Sequence, residues 1–297
     1  MKEFEYFPVH IHVAKSAGTY ILSVCSTLNK FLQEKRGKNL IDGWVEKKRV
    51  RKCSVDLGHN KQLTVCYYTE SDINEQQSWK LVDESNPYVD RVDKDLFINA
   101  LKENHLEIFS ISINPIGVGF DLHFQFIKVI ENITGRKSLY FLPVRNPLYR
   151  AVSLFFYLST SAGSHETSYL SMRSENIINY LLKEYPEENY LARCVLNLKE
   201  SEVITKKHSK NVLKNLKNVY SIDISKVDEL LDFVFLKCYD IKKDMVHKDN
   251  LNINKHMTPN KKFDFESFLR SDNYKIFLEK TEAEHIIYNE LKTKFKT

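Results

Sequence analysis

The fold of this chain is decided by the stretch Tyr-Phe-Pro-Val-His-Ile-His-Val-Ala-Lys-Ser-Ala-Gly-Thr-Tyr-Ile-Leu-Ser-Val, which runs from Tyr6 to Val24. Its pattern predicts a buried strand over residues 6–13, a short turn over residues 14–18 and a helix from Thr19. The first N–H groups of a helix have no partner inside it, so a joint of this kind directs them at an anion. We therefore expect an anion-binding loop after the first strand.

The side chains of this turn favour the same kind of ligand. Lys15 supplies a positive charge, and Ser16 and Thr19 supply hydroxyl donors. The turn is not a Walker A loop, because the pattern Gly-x-x-x-x-Gly-Lys-Ser/Thr is absent and Lys15 precedes Gly18 instead of following it. The loop is thus predicted to hold a charged group in a way that differs from the standard ATP-binding loop.

The composition is that of a globular protein with a modest positive charge. The chain has 297 residues, 42% of them hydrophobic, and a formal net charge of +5. This charge favours an anionic ligand but is too small for a dedicated nucleic-acid binder. No apolar run approaches the ~20 residues of a membrane span, and residues 2–5 lack a signal-peptide core. We expect a single soluble, cytoplasmic domain over residues 1–297, with no membrane span and no nucleic-acid partner.

Strands alternate with helices along most of the chain, which predicts an α/β fold with a central parallel sheet and helices on both faces. Among the helices, the pattern predicts one over residues 201–216 and a helical segment over residues 264–294. Residues 40–92 interrupt this alternation. Within them, Val50–Leu57 and Gln62–Thr69 are typical of two strands joined by a turn at residues 58–60. We interpret residues 40–92 as an insertion that carries a β-hairpin.

A second strand-to-helix joint lies at Leu139-Tyr-Phe-Leu-Pro-Val-Arg-Asn-Pro-Leu-Tyr-Arg-Ala-Val-Ser153. A buried strand ends at Arg145, and Pro147 is a favoured first residue of a helix. Ser153 lies two turns into that helix. Arg145 and Ser153 can meet at one phosphate, since arginine binds phosphate in a bidentate manner and serine donates from its hydroxyl.

Together, the two joints resemble the nucleotide-binding motifs of the PAPS-dependent sulfotransferases. The 5′-phosphosulfate loop of that family is commonly Pro-Lys-Thr-Gly-Gly-Thr; this chain has Ala14 in place of the Pro and Ala17 in place of one Gly. The family's 3′-phosphate site is usually Arg-Asp-Pro-x-x-Arg-x-x-Ser; Asn146 replaces the Asp, and Arg150 matches the second Arg. The resemblance implies that PAPS is bound by Lys15, Ser16, Ala17, Gly18, Thr19, Tyr20, Arg145 and Ser153.

Further segments are similar to the same family and extend the implied site. Residues 188–193 resemble a helix of the family that holds the adenine nucleotide through Arg193. Residues 251–259 resemble a segment that closes over the nucleotide, which adds Asn254 and Lys255. The resemblance covers residues 6–35 and about 105–290, and it is closest to the carbohydrate-directed branch, such as the heparan sulfate 2-O-sulfotransferases.

The resemblance implies a P-loop-like three-layer fold and a definite reaction. A sulfuryl group would move from PAPS to a hydroxyl of a saccharide or other small acceptor, leaving PAP, without a required metal. Lys15 would stabilise the leaving phosphate oxygen, and His123 resembles the position of the catalytic base in the 2-O-sulfotransferases. His10 and His12 share one side of the first strand and are expected to pack there, although His12 could reach the site from the strand end.

Two other functions remain open at this point. A P-loop small-molecule kinase would use ATP and Mg²⁺, but it would need a lysine after the glycine. A noncatalytic nucleotide-binding protein that kept the sulfotransferase fold would tolerate the loss of a base. Asn146 and the sequence Gly119-Phe-Asp-Leu122 before His123, where the family has Gly-His, leave room for that second alternative.

Overall fold

The fold was analysed in a computed structural model, which describes residues 4–35, 50–58, 61–68, 90–114, 119–161, 177–184, 189–199, 201–246 and 263–295. Seven strands form one sheet in the order β4-β2-β3-β5-β1-β6-β7. Their bounds are β1 Tyr6–Ile11, β2 Val50–Gly58, β3 Lys61–Tyr68, β4 Asp90–Asp93, β5 Glu107–Ile113, β6 Lys137–Val144 and β7 Tyr220–Asp223. The α/β class and the central sheet predicted from the sequence are confirmed.

Helices cover both faces of this sheet. They are α1 Gly18–Lys35, α2 Lys94–Lys102, α3 Gly119–Thr134, α4 Pro147–Ser161, α5 Ile177–Asn179, α6 Tyr190–Leu196, α7 Lys206–Asn215, α8 Val227–Tyr239, α9 Lys243–Val246, α10 Phe265–Leu269, α11 Asp272–Lys280 and α12 Glu282–Leu291. A π-helical turn, Tyr180–Glu184, continues α5, and a 3₁₀ turn, Ile224–Lys226, precedes α8.

The buried side chains divide into layers that follow the pleat of the strands. Phe7, Val9 and Ile11 of β1 pack with α2, α3, α6, α7 and α12 in one core. Helices α1 and α8 pack on the opposite face, against residues such as Phe109 and Phe141. A third cluster joins α4 to residues 177–182 and to the segment 263–277. The molecule therefore has helix, sheet and helix layers, with α4 beyond the end of β6.

The predicted hairpin is present, and it extends the main sheet. Strand β2 pairs antiparallel with β3, and β3 pairs antiparallel with β5, so that Cys66 lies opposite both Lys52 and Ser110. Strand β4 pairs parallel with β2. Among the described strands β3 alone runs against the others, which makes the sheet mostly parallel and not wholly so. Sequence periodicity cannot reveal such pairing, because it depends on residues far apart in the chain.

Local expectations agree with the structure except at some bounds and in one strand. Strand β1 ends at Ile11 and not at residue 13, and β4 was not predicted. The predicted helix over 201–216 begins at Lys206, where Thr205 and His208 form a capping box. Residues 264–294, predicted to be helical, form three helices, α10 to α12. The breaks fall at residues 270–271 and at Thr281, positions that a continuous helical pattern does not mark. In the described part of the chain, no helix has the length and apolarity needed to cross a bilayer.

The strand order places a crevice at the end of β1. Its neighbours β5 and β6 lie on opposite sides of it, and both run parallel to it. The chain therefore crosses from one side of β1 to the other between β5 and β6. In open α/β sheets, ligands bind outside the carboxyl ends of strands at such a switch point. Both predicted phosphate-binding joints, after β1 and after β6, lie there.

Candidate anion-binding site

The loop after β1 has a backbone conformation suited to anions. Lys15 and Ala17 both have φ of 63°, whereas Ser16 between them does not have a positive φ. Successive residues that alternate between right- and left-handed conformations turn their N–H groups toward one concave side, which forms an anion-binding nest. Neither lysine nor alanine adopts the left-handed region readily, and each such residue costs ~1–2 kcal/mol. Strain of this kind concentrates at functional sites.

The two predicted joints meet at this loop. Arg145, at the end of β6, donates from Nη1 to the backbone carbonyl oxygen of Lys15 at 3.2 Å. The guanidinium is thereby held against the phosphate-loop candidate and not on a different face of the molecule. Burial lowers the pKa of Arg145, as does nearby Arg150, while Asp223 acts in the opposite direction. An anion bound here would offset the cost of burying these charges.

The ammonium of Lys15 lies over an aromatic ring. Its Nζ is 3.9 Å from the ring centroid of Tyr157 on α4, and 49% of Tyr157 is exposed. A cation–π contact at an exposed ring is worth ~0.5–1 kcal/mol. This interaction is weak enough for an anionic ligand to displace. Without such a ligand, it holds the Lys15 ammonium at the edge of the site.

Asn146 caps the helix of the second joint. Its Oδ1 accepts a hydrogen bond from the backbone N–H of Leu148 at 3.0 Å, and Tyr149 N lies at 3.5 Å. Asn146 therefore caps α4, and Pro147 is the first helical residue, as predicted. The amide oxygen thus satisfies a backbone donor in the first turn of α4.

Arg150 points into the protein, where it joins α4 to α12. It is 1% exposed, its Nη2 lies 3.8 Å from Glu284 Oε1, and its guanidinium lies 5.1 Å from the Tyr190 ring centroid. Glu284 Oε2 in turn accepts the backbone N–H of Leu191 at 3.1 Å. The second arginine of the motif thus fixes the helices that form one wall of the site.

A cleft opens between the two joints and this wall. It is small and partly open to solvent. Its lining residues are Val13, Ser16, Pro143, Val144, Arg145, Arg150, Leu191, Glu284, Ile287 and Tyr288. The Ser16 hydroxyl is buried and, within the described part of the chain, has no hydrogen-bond partner. A buried donor of this kind is costly unless a ligand or water satisfies it.

Tyr20 is held by a polar network at the outer side of α1. Its hydroxyl donates to Asp228 Oδ1 at 2.6 Å and accepts from Lys243 Nζ at 3.3 Å. Lys243 also pairs with Asp228 at 2.9 Å. Burial and the contact with Asp228 raise the pKa of Tyr20 to about 12. These contacts connect the loop helix to α8 and α9.

The other predicted site residues are placed unequally. Thr19 is exposed beside the loop, and Ser153 is half-buried one turn beyond Arg150 on α4. Arg193 donates from Nη1 to the carbonyl oxygens of Lys199 at 2.6 Å and Glu202 at 3.2 Å. These contacts hold the Arg193 guanidinium against the segment that follows α6. Asn254 and Lys255 lie outside the described residues.

The histidines differ in how they relate to the loop. His123, the predicted base, lies in α3 and is 0% exposed, between the core residues Phe120 and Phe126. His12 lies at the loop itself, because a Cβ placed on Gly18 would be 2.0 Å from its Nε2. Burial lowers the pKa of His12, and the positive charges of Lys52 in the hairpin and of Lys15 lower it further.

Lys52 and the α12 residues of the cleft carry no local sequence signal that marks them as part of the site. Lys52 belongs to the insertion, and only the pairing of the hairpin with β5 brings it toward β1. The role of α12 likewise depends on a contact between distant parts of the chain.

No group of three or more metal-ligating side chains occurs among the residues that the structure describes. No model of a known protein family matches the chain, and searches of curated proteins and of solved structures find no match either. What can be stated of this site therefore comes from its own geometry: two strand-to-helix joints, hydrogen-bonded to each other, present cations and backbone donors at one edge of a mostly parallel sheet.

Proposed function

We propose that this protein is a PAPS-dependent sulfotransferase with a P-loop-like three-layer fold. It would transfer a sulfuryl group to a hydroxyl of a saccharide or other small acceptor. The observation that carries the proposal is the hydrogen bond from Arg145 to the Lys15 carbonyl oxygen at 3.2 Å, because it unites the two motifs that resemble the family's phosphate sites. PAPS has phosphate-containing groups at both ends of its ribose, and two adjacent cationic joints suit such a ligand.

The groups present at the loop fit the 5′ end of this donor. The nest formed by residues 15–17 offers backbone N–H groups, and Ser16 offers a buried hydroxyl with no partner in the described structure. Lys15 would stabilise the charge that develops on the leaving phosphate oxygen. Its contact with the exposed Tyr157 ring keeps the Lys15 ammonium near the loop. Arg145, with Ser153 further along α4, would hold the 3′-phosphate.

The rival functions predict different ligands. A P-loop kinase would bind ATP with Mg²⁺, and a noncatalytic protein would bind PAP without turnover. We expect PAP to raise the thermal stability of the protein, by ~2.7 kcal/mol at 100 times its Kd, and AMP or ATP with Mg²⁺ to have smaller effects. Stabilisation by ATP with Mg²⁺ alone would favour the kinase.

A turnover assay with labelled PAPS and a panel of saccharide and phenolic acceptors completes the test. Lys15→Ala should lower transfer by ~10²–10³-fold, the usual cost of losing one transition-state donor. Lys137→Ala is the matched control, because its ammonium is exposed and pairs with Glu5 at 3.1 Å, at the N-terminal end of β6. We expect chelators to leave transfer unchanged, because the proposed reaction requires no metal. PAP binding without transfer to any acceptor would favour the noncatalytic alternative.

A further inference from the structure

The environment of His12 differs from that of an ordinary strand histidine. It follows β1 directly, and its backbone N–H donates to the Ile113 carbonyl oxygen of β5 at 2.7 Å. The ring packs so closely on Gly18 that no other residue type would fit there without movement, since an added Cβ would be 2.0 Å from Nε2 and 2.1 Å from Cδ2. Nε2 therefore lies at the first residue of α1, where the free helix N–H groups are.

Two charged side chains and a second histidine lie near this ring. Lys15 comes from the loop, Lys52 from β2 in the insertion, and His10 from the same strand, with its ring centroid 5.7 Å away. Burial, followed by the charges of Lys52 and Lys15, lowers the pKa of His12 to about 4. At neutral pH the imidazole is uncharged, so one of its nitrogens has a free lone pair.

On this side of β1, the face of the sheet that lies beneath α1 carries buried polar side chains. His10, Ser112, Thr64 and Ser54 lie side by side across β1, β5, β3 and β2. Nδ1 of His10 lies 3.0 Å from the Ser112 hydroxyl. Arg145 is on the opposite side of β1, directly after β6. The strand order thus separates a side with Arg145, suited to the nucleotide, from a side with His12 and the hairpin.

We propose that His12 is the catalytic base, which accepts the proton of the acceptor hydroxyl, and that the acceptor enters from the side of β5 and the hairpin. This inference rests on the proposed function. In the transfer step the acceptor oxygen forms a bond to sulfur, and the bond between sulfur and the 5′-phosphate oxygen breaks. Its electron pair stays on that phosphate oxygen, near Lys15. The proton moves to the unprotonated ring nitrogen of His12 and is later released to solvent.

A bound donor would also prepare His12 for this role. The negative charges of the donor would offset those of Lys15 and Lys52, and an opposite charge close to a histidine raises its pKa. His12 would become a stronger base only when the donor is in place. His123, by contrast, is fully buried on a helix that packs on the other face of the sheet from α1.

The test compares His12→Gln with His123→Gln and with His105→Gln. His105 is the control, because its side chain is 47% exposed and it lies just before β5, at the amino end of that strand and away from the loop after β1. Turnover is measured as transfer of labelled sulfate from PAPS to water and to the acceptor panel, and PAP affinity is measured by calorimetry. We expect His12→Gln to lower turnover by ~10²-fold or more while PAP affinity stays within about twofold. His105→Gln should change neither.

A second measurement does not depend on turnover. Histidine-resolved NMR titration, with His12→Gln used for assignment, should show the pKa of His12 rising on saturation with PAP, by at least ~1. Wild-type turnover in His12→Gln, loss of turnover only in His123→Gln, or an unchanged His12 pKa in the PAP complex would each overturn the proposal. Failure of the wild-type protein to bind PAP at all would overturn the proposed function as well.

Discussion

Arg145 Nη1 donates to the backbone carbonyl oxygen of Lys15 at 3.2 Å, so the end of β6 and the loop after β1 form a single structure. The contact is between a side chain and the backbone, and it therefore fixes the path of the loop. Because the second joint supports the first in this way, changes at Arg145 should affect both ends of a bound nucleotide.

Arg145→Ala should weaken PAP binding by at least about tenfold, since a hydrogen bond to a charged group contributes ~1.5–3 kcal/mol. Calorimetric titration with PAP measures the change. Arg270→Ala is the matched control, because its side chain is 82% exposed and pairs with Glu266 on a short surface helix. Equal affinities of the two variants would contradict the placement of the nucleotide at Arg145.

Ala17→Gly should stabilise the protein although it removes a methyl group. Ala17 has φ of 63°, and glycine adopts this conformation without the steric cost that alanine pays. Relief of ~1–2 kcal/mol of strain outweighs the ~0.4–1 kcal/mol by which glycine favours the unfolded chain. Urea denaturation should therefore show a gain of up to about 1.6 kcal/mol.

The matched control for Ala17→Gly is Ala14→Gly. Ala14 precedes the strained residues and does not have a positive φ. The same change there should bring no gain and a small loss. A loss of stability in Ala17→Gly as large as that in Ala14→Gly would show that the left-handed conformation is not adopted.

Gly18→Ala should have opposite effects in two backgrounds. In the wild-type protein the new Cβ would be 2.0 Å from His12 Nε2, so the ring or the helix must move and stability falls. With His12→Ala the clash disappears, and alanine is a better helix residue than glycine by ~0.8–1 kcal/mol. A double-mutant cycle by denaturation should give a coupling of at least ~1 kcal/mol. Additive effects would mean that the His12 ring does not lie over Gly18.

The low pKa of His12 should make stability depend on pH. Its pKa is lowered from 6.5 to about 4 in the folded protein, and it returns to about 6.5 on unfolding. As pH falls below about 6.5, the unfolded chain binds the proton first, so the free energy of unfolding decreases through this window toward pH 4 and is unaffected above it. His10 and His285, whose pKa values are also lowered by burial, act in the same direction.

His12→Gln should reduce this slope, with His10 and His285 accounting for what remains. Denaturation measured at intervals between pH 4.5 and 7.5 gives the comparison, with His105→Gln as the exposed control. A slope identical to that of the wild-type protein would indicate that His12 is protonated as readily when folded as when unfolded.

Local sequence signals predicted much of the fold because they depend on short-range chemistry. The strand, turn and helix around Lys15, the start of α4 at Pro147 and the hairpin were all found from periodicity and turn residues. The mixed sheet was not, because the pairing of Cys66 with Ser110 joins segments with no local relation. The three-part division of residues 264–294 was missed because the breaks contain neither proline nor glycine.

The positions of the two joints were predicted to a similar extent. The motif order located Lys15 and Arg145 on neighbouring strand ends, and their hydrogen bond agrees with that prediction. The left-handed conformation of Ala17 could not be predicted, because alanine rarely adopts it. The effect of Lys52 on the pKa of His12 could not be predicted either, because it depends on the order of the strands in the sheet. The assigned roles of Ser153, Arg193 and His123 stay predictions that binding and turnover measurements can test.

Ser16 and Ile287 line the same cleft, although they lie 271 residues apart in the chain. Contacts so distant in sequence are entropically costly to close and are made slowly. A growing polypeptide on the ribosome would hold the loop after β1 long before α12 exists to complete the wall. Ligand binding at this cleft would therefore be a sensitive reporter of finished folding, and a partly synthesised or proteolytically shortened chain that lacks α12 should have secondary structure yet no affinity for PAP.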